Sequence, residues 1–235
     1  MKNMTVFKYA LLNGLTKPMS IVMNSIVPII LTIFSDRINT GFGGESRQFY
    51  LLAFVIMFGA FLMANSIQKD KVEGVLVRIL AGPITLRSYL AQNFLAAIVP
   101  MSIVSVIIGV LGYAIHDWSM TLTIGLILCY ILVSASSIGL SFVWSCLFKD
   151  KEASIAGISV MITMTALLGG LMLPLAILPT TIYYFGTIFP AHWASRAIEQ
   201  LVLYNEFTNM YWLGLLAVGM FAVAFVLYGS KRRLV

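Results

Sequence analysis

Gly139-Leu140-Ser141 lies inside a long apolar run and resembles a serine-nucleophile fragment. A serine hydroxyl is a weak nucleophile and needs a base within hydrogen-bond reach. The two histidines, His116 and His192, fall beside other apolar runs. An intramembrane serine protease is therefore a weak reading, and Ser141 reads better as a small residue for helix packing. Cys129 and Cys146 are 17 residues apart in one run. On one helix that is about 25 Å of rise, beyond disulfide reach. No histidine or carboxylate stands at ligand spacing from them, so neither a metal site nor a catalytic residue is expected. No Gly-x-x-x-x-Gly-Lys-Ser/Thr occurs, which excludes a P-loop in this sequence.

The chemistry that remains is recognition. Between two apolar runs lies a charged island, Lys69-Asp70-Lys71-Val72-Glu73-Gly74-Val75-Leu76-Val77-Arg78-Ile79-Leu80-Ala81-Gly82-Pro83, continued by Arg87. Val72, Val75, Leu76, Ile79 and Leu80 recur at helical spacing and form one apolar stripe, with Glu73 and Arg78 off it. Gly82-Pro83 stops the helix. The pattern predicts a short amphipathic helix over 72–80 that rests on a bilayer or docks in a partner's groove.

Such a helix has to be held by membrane spans. Hydrophobic residues make up 60% of the 235 and charged residues only 10%, where a soluble domain carries about 25% charged. The chain reads as one all-α integral membrane domain over 1–235. Its net charge of +6 does not imply nucleic acid, because no basic face is long enough to follow a phosphate backbone. Uncharged runs at 18–35, 48–68, 88–116, 118–148, 153–195 and 207–230 predict six transmembrane helices. With both termini cytoplasmic, twelve of the fifteen Lys and Arg lie inside, and only Arg37, Arg47 and Arg196 outside. That is a strong positive-inside bias, and a seventh span would reverse it for Lys231, Arg232 and Arg233. Residues 1–17 read as an interfacial helix ahead of the first span, with an ordinary N-terminal extension of that span as an equal alternative. The basic start lacks an Ala-x-Ala-like cleavage site, so no removable signal peptide is expected.

The run 153–195 is too long for one span. Gly170, Pro174, Pro179 and Pro190 break its second half, and irregular backbone survives at membrane depth only where protein or a water-filled cavity covers it. Residues 170–190 read as an outer re-entrant hairpin, with a kinked helix end and an apolar loop as the competing reading. Residues 191–206 read as an outer surface helix. No charged residue falls in the core of any span, which disfavours an ion-coupled secondary transporter. Asn24, Ser25, Asn65, Ser66 and Asn93 are too scattered to line a channel.

In this setting the island resembles the loop between the second and third spans of the type-two (ABC-2-like) ABC exporter permeases. The matching residues are Glu73 and Gly74, a turn of aliphatics with Leu76, Arg78 and Leu80, then Pro83. Val75 and Val77 stand where a threonine and an acid are common. Gly169-Gly170-Leu171-Met172-Leu173-Pro174-Leu175, then Leu178-Pro179, Phe189-Pro190 and Ala197-Ile198-Glu199, resembles that family's fifth-span ending, re-entrant helices and surface helix.

The resemblance implies a cytoplasmic coupling helix in the 68–88 loop, with the six matching residues in contact with an ATPase. It also implies a hairpin and surface helix over 170–206, with Gly170, Pro174, Pro179 and Pro190 shaping the hairpin. The implied assembly is a half-transporter in a bacterial plasma membrane. Two permeases (two copies, or this one and a sister) pair with two copies of a separate ABC ATPase subunit that binds ATP and magnesium. This chain would then hold no cofactor and catalyse nothing. Lys149-Asp150-Lys151-Glu152 reads as a solvated tight turn, with a second, smaller ATPase contact as the alternative. Thirteen Met and fifteen Phe offer an adaptable apolar lining. They fit export of an amphipathic or hydrophobic molecule such as an antimicrobial peptide or a drug, with a lipid-linked glycan as the alternative.

Overall fold

The computed structural model describes residues 4–16, 18–38, 47–64, 66–82, 84–148, 150–173, 175 and 179–231. The regular elements among them are all helical. Helix α1 (Thr5–Leu15) meets the segment Pro18–Ile33 at 82°. That segment comprises α2 (Pro18–Ile21), a π-helical turn (Val22–Ile26) and α3 (Val27–Ile33), with Pro28 in the first turn of α3. A short α4 (Ser35–Ile38) follows. Next come α5 (Arg47–Ala64), α6 (Ser66–Val72) and α7 (Val75–Ala81). The rest of the chain forms α8 (Leu86–His116), α9 (Met120–Leu147), α10 (Lys151–Leu168), α11 (Thr180–Gly186), α12 (Pro190–Tyr204) and α13 (Met210–Lys231).

Helix boundaries follow local chemistry. Thr85, Ser119 and Asp150 each accept a hydrogen bond from the backbone N–H three residues on, capping α8, α9 and α10. Asp117 and Asn205 end α8 and α12 in the left-handed region, at φ 51° and 55°, a conformation that short polar side chains tolerate. Pro190 opens α12, where its missing N–H costs nothing.

Among the described residues, four helical stretches are long and apolar enough to cross a membrane: Arg47–Lys71, Leu86–His116, Met120–Leu147 and Met210–Gly229. The bent pair Thr5–Leu15 and Pro18–Ile33 makes a fifth if it counts as one span. Six uncharged runs predict six spans, and two of those runs make shorter helices. The first contains the π turn and extends only from Pro18 to Ile33, about 24 Å of rise. The fifth loses its end at Gly169-Gly170, where Gly170 takes φ 91° and the N–H groups of Leu171 and Met172 turn back to the carbonyl of Ala166. Its apolar helix is Glu152–Leu168.

Helix α9 is the centre of the bundle and packs on α5, α8, α12 and α13. Its apolar window is 67% buried, against 17% for that of α13. Small and hydroxyl residues make this close packing possible. A Cβ on Gly139 would come within 2.9 Å of Met220 Cβ, and one on Gly125 would overlap Leu201. Ser137 donates across to the Met57 carbonyl of α5 at 2.7 Å. Ser141 donates 2.8 Å to Ser137 O of its own helix, so Gly139 and Ser141 are accounted for as packing residues. Cys129 and Cys146 are free and buried on the same helix.

Two buried clusters stack along the bundle. One, around Leu52, Met57, Leu126, Val133, Ile158 and Ile198, fills the end away from the island. The other, around Ile67, Tyr89, Leu90, Met101, Ile138 and Phe142, fills the island end. Outward faces stay apolar, as Ile103 and Val110 on α8 and Leu215, Val218 and Val226 on α13 illustrate. A bilayer covers such faces at no cost.

Candidate functional site

The island is built differently from the single helix that its periodicity predicts. Gly74 sits at φ 69° and divides residues 66–81 into α6 and α7. The apolar stripe over 72–80 therefore does not lie on one continuous helix. A glycine makes this corner without the Cβ strain that other residues would meet. Glu73 N bonds Lys69 O at 3.0 Å and Gly74 N bonds Lys71 O at 3.3 Å, closing the end of α6. Arg78 N reaches Gly74 O at 3.4 Å as α7 begins.

Glu73 and Arg78 are exposed, whereas Leu76 is buried in the cluster at the island end. Leu80 belongs to α7, and Pro83 lies outside the described residues. The surface offered outward is thus a left-handed corner carrying one acid, followed by about two turns of helix carrying one base. Arg87, just beyond, places its guanidinium 5.2 Å from the centre of the Phe225 ring, a cation–π distance.

Below this corner the polar residues of α6 turn inward, which the sequence does not reveal. Tyr89 donates a 2.7 Å hydrogen bond to Asp70 Oδ2, and Asp70 is buried. Lys71 Nζ donates to the carbonyls of Ser145 and Phe148, each at 2.6 Å. Gln68 Nε2 reaches Phe148 O and Asp150 O at 3.5 and 3.4 Å. Ser145 Oγ lies 2.6 Å from the Tyr228 hydroxyl, which adds α13. Asp150, read as part of a solvated turn, caps α10 through Ala153 N at 2.9 Å. The only sequence signal for this network is three polar residues, Gln68, Asp70 and Lys71, at the edge of an apolar run.

At the opposite end, the Gly169-Gly170 break packs against α12. Ser195 Oγ on α12 lies 2.5 Å from Gly169 O and 2.8 Å from His192 O. A Cβ on Gly169 would fall 2.7 Å from both Ala191 Cβ and His192 N. Pro179 stands at the N-cap of α11 and Pro190 at the start of α12. Pro174 lies outside the described residues. Arg196 donates 2.8 Å to the Tyr183 hydroxyl and 3.3 Å to Glu199. Trp193 donates 2.7 Å to Thr187 O and stacks on Trp212, with centroids 5.0 Å apart. So α11 is tied to α12, and α12 to α13.

His192 is buried against Tyr183 and Trp193. Burial, reinforced by the Arg196 cation, pushes its pKa down to about 4. His116 Nε2 lies 2.8 Å from Thr32 O and 3.0 Å from Ser35 Oγ. A carbonyl only accepts, so this nitrogen carries the proton.

Long apolar helices with apolar outward faces are those of a helical multi-pass membrane protein. Residues 12–229 match the family described as ABC-2 family transporter protein. The chain belongs to that family. It is the transmembrane subunit of an ABC transporter, a class that works with an ABC ATPase subunit and is generally not catalytic itself. No curated protein matches it.

Proposed function

We propose that the chain is the permease of an ATP-driven exporter, with six spans and both termini in the cytoplasm. In this reading α1 lies on the inner membrane surface, with Tyr9, Leu12 and Leu15 exposed to lipid and Val6, Ala10 and Gly14 buried against the bundle. Pro18–Ile33 and Glu152–Leu168 supply the first and fifth spans. The helical break after Gly170, with α11 behind it, forms the re-entrant hairpin on the outer side, and α12 is the surface helix that holds it.

The observation that carries the proposal is the corner at Glu73-Gly74. Its acid and Arg78 point outward, while Gln68, Asp70 and Lys71 one turn earlier are bonded into the bundle. A helix that only rests on lipid does not need such a root. A helix that receives force from a partner does. We assign Glu73, Gly74, Arg78 and the α7 turn to docking on the ATPase, where ATP and magnesium bind. Two permeases and two ATPase subunits make the working unit, and the cargo is amphipathic or hydrophobic, an antimicrobial peptide or a drug. The experiment is co-purification of the ATPase, together with cargo-stimulated ATP hydrolysis, for wild type and Glu73→Lys. Loss of both in a normally inserted variant supports the assignment, and no change in either refutes it.

A further inference from the structure

The turn between α9 and α10 is gripped by α6. Helix α9 ends at Leu147, so its last carbonyls lack intrahelical partners, and a helix C-terminus attracts cations. The cation supplied is Lys71, from another helix, at 2.6 Å from both Ser145 O and Phe148 O. Gln68, three residues earlier on the same face of α6, reaches Phe148 O and Asp150 O. Two side chains of one helical turn thus hold three carbonyls of the 145–150 segment. Asp150 in turn caps α10 through Ala153 N.

We infer that Lys71 is a positioning residue that makes the 145–150 turn, and with it α10, follow the motion of α6. The inference rests on the reading that an ATPase docks at the 73–82 corner. Without Lys71 the ATPase still binds, but its stroke stops at α6 and α8, where Asp70 remains bonded to Tyr89. With Lys71 the stroke also reaches α10.

The test uses the full permease–ATPase complex in lipid nanodiscs, with an environment-sensitive thiol fluorophore on Val160→Cys. Val160 is exposed on α10, and the native Cys129 and Cys146 are buried and do not compete for label. Wild type is expected to change its emission on addition of ATP, magnesium and vanadate. Lys71→Met is expected to keep the ATPase bound and to lose most of that change. Lys71→Arg, which can donate to both carbonyls, is expected to restore it. Gln68→Leu is the second variant, expected to weaken the change in the same direction should Lys71→Met fold poorly. A full emission change in Lys71→Met with ATPase bound overturns the inference alone. Loss of the ATPase from Lys71→Met overturns it too, because Lys71 would then belong to the docking surface. Failure of wild type to bind any ATPase overturns the docking reading itself.

Discussion

The hydroxyl of Tyr89 donates a 2.7 Å hydrogen bond to Oδ2 of Asp70, joining the first turns of α8 to the buried side of α6. A buried carboxylate needs such donors, because an ionised group loses its water on burial. Tyr89→Phe removes one donor and leaves the ring. Hydrogen bonds to charged groups contribute roughly 1.5–3 kcal/mol, so the purified permease should melt earlier in detergent by an equivalent amount. Asp70→Asn, which keeps an acceptor, should cost less. Equal melting of wild type and Tyr89→Phe would show that the bond contributes nothing.

The helical segment Pro18–Ile33 touches α5 where Asn24 faces Gly59. A Cβ at Gly59 would overlap the Asn24 amide oxygen, and that amide is held by a 2.8 Å bond to Ser20 Oγ. Overfilling a packed contact costs about 1–3 kcal/mol. Gly59→Ala should therefore destabilise the permease by that order. Asn24→Ala should absorb much of the effect, so the double variant is less destabilised than the two single losses combined. Strict additivity in the thermal-melting cycle would place the two residues out of contact.

His192 gives a pH dependence with a definite sign. Its folded pKa of about 4 lies below the ordinary 6.5. The group therefore contributes stability that is fully present above pH 6.5 and is lost as pH falls toward 4, where the unfolded chain gains a proton that the folded one refuses. The contribution is on the order of 1 kcal/mol. Wild type should lose more melting temperature than His192→Gln between about pH 7.5 and about pH 5. Parallel pH profiles would mean that His192 is not buried as a neutral ring.

How far the fold can be read from the chain depends on the range of the interactions. Apolar run lengths and caps are local, so α8, α9 and α13 follow from the sequence, as does the break at Gly169-Gly170. The glycine that ends the first half of the island is local too, yet the stripe of Val72, Val75, Leu76, Ile79 and Leu80 hides it. An apolar period shows which residues share a face only if the helix continues, and at Gly74 it does not. The resemblance implies that Leu76 contacts an ATPase, and in the folded chain its side chain is buried in the bundle. The bonds from Lys71 to Ser145 and Phe148 join residues more than 70 apart in sequence, and no spacing rule reaches them. For the same reason Asp70 reads as a surface charge until Tyr89 is placed beside it.

Topology has its own measurement. The positive-inside bias predicts that cysteines replacing the exposed Arg78 and Glu152 are shielded from an impermeant thiol reagent in intact cells. Cysteines replacing the exposed Asp117 and Asn205 should be labelled. Labelling at Glu152 together with shielding at Asn205 would invert the proposed orientation.

Glu73 separates docking from mere contact with the membrane surface. The side chain is exposed, and an isolated exposed charge contributes only about 0–1 kcal/mol. Glu73→Lys should therefore leave the amount and melting temperature of the permease unchanged. A charge that becomes desolvated against a partner behaves differently, because removing it strands the opposing group at roughly 2–5 kcal/mol. Retention of the ATPase on purified Glu73→Lys should then fall by about tenfold or more, and cargo-stimulated hydrolysis should fall with it. Leu76→Ala is the contrasting variant. Its side chain is buried in the permease's own core, so it should lower the melting temperature by the equivalent of about 2–5 kcal/mol, whether or not the ATPase is present. If Glu73→Lys binds the ATPase as wild type does, α7 rests on the bilayer and the docking surface must be sought elsewhere on this face.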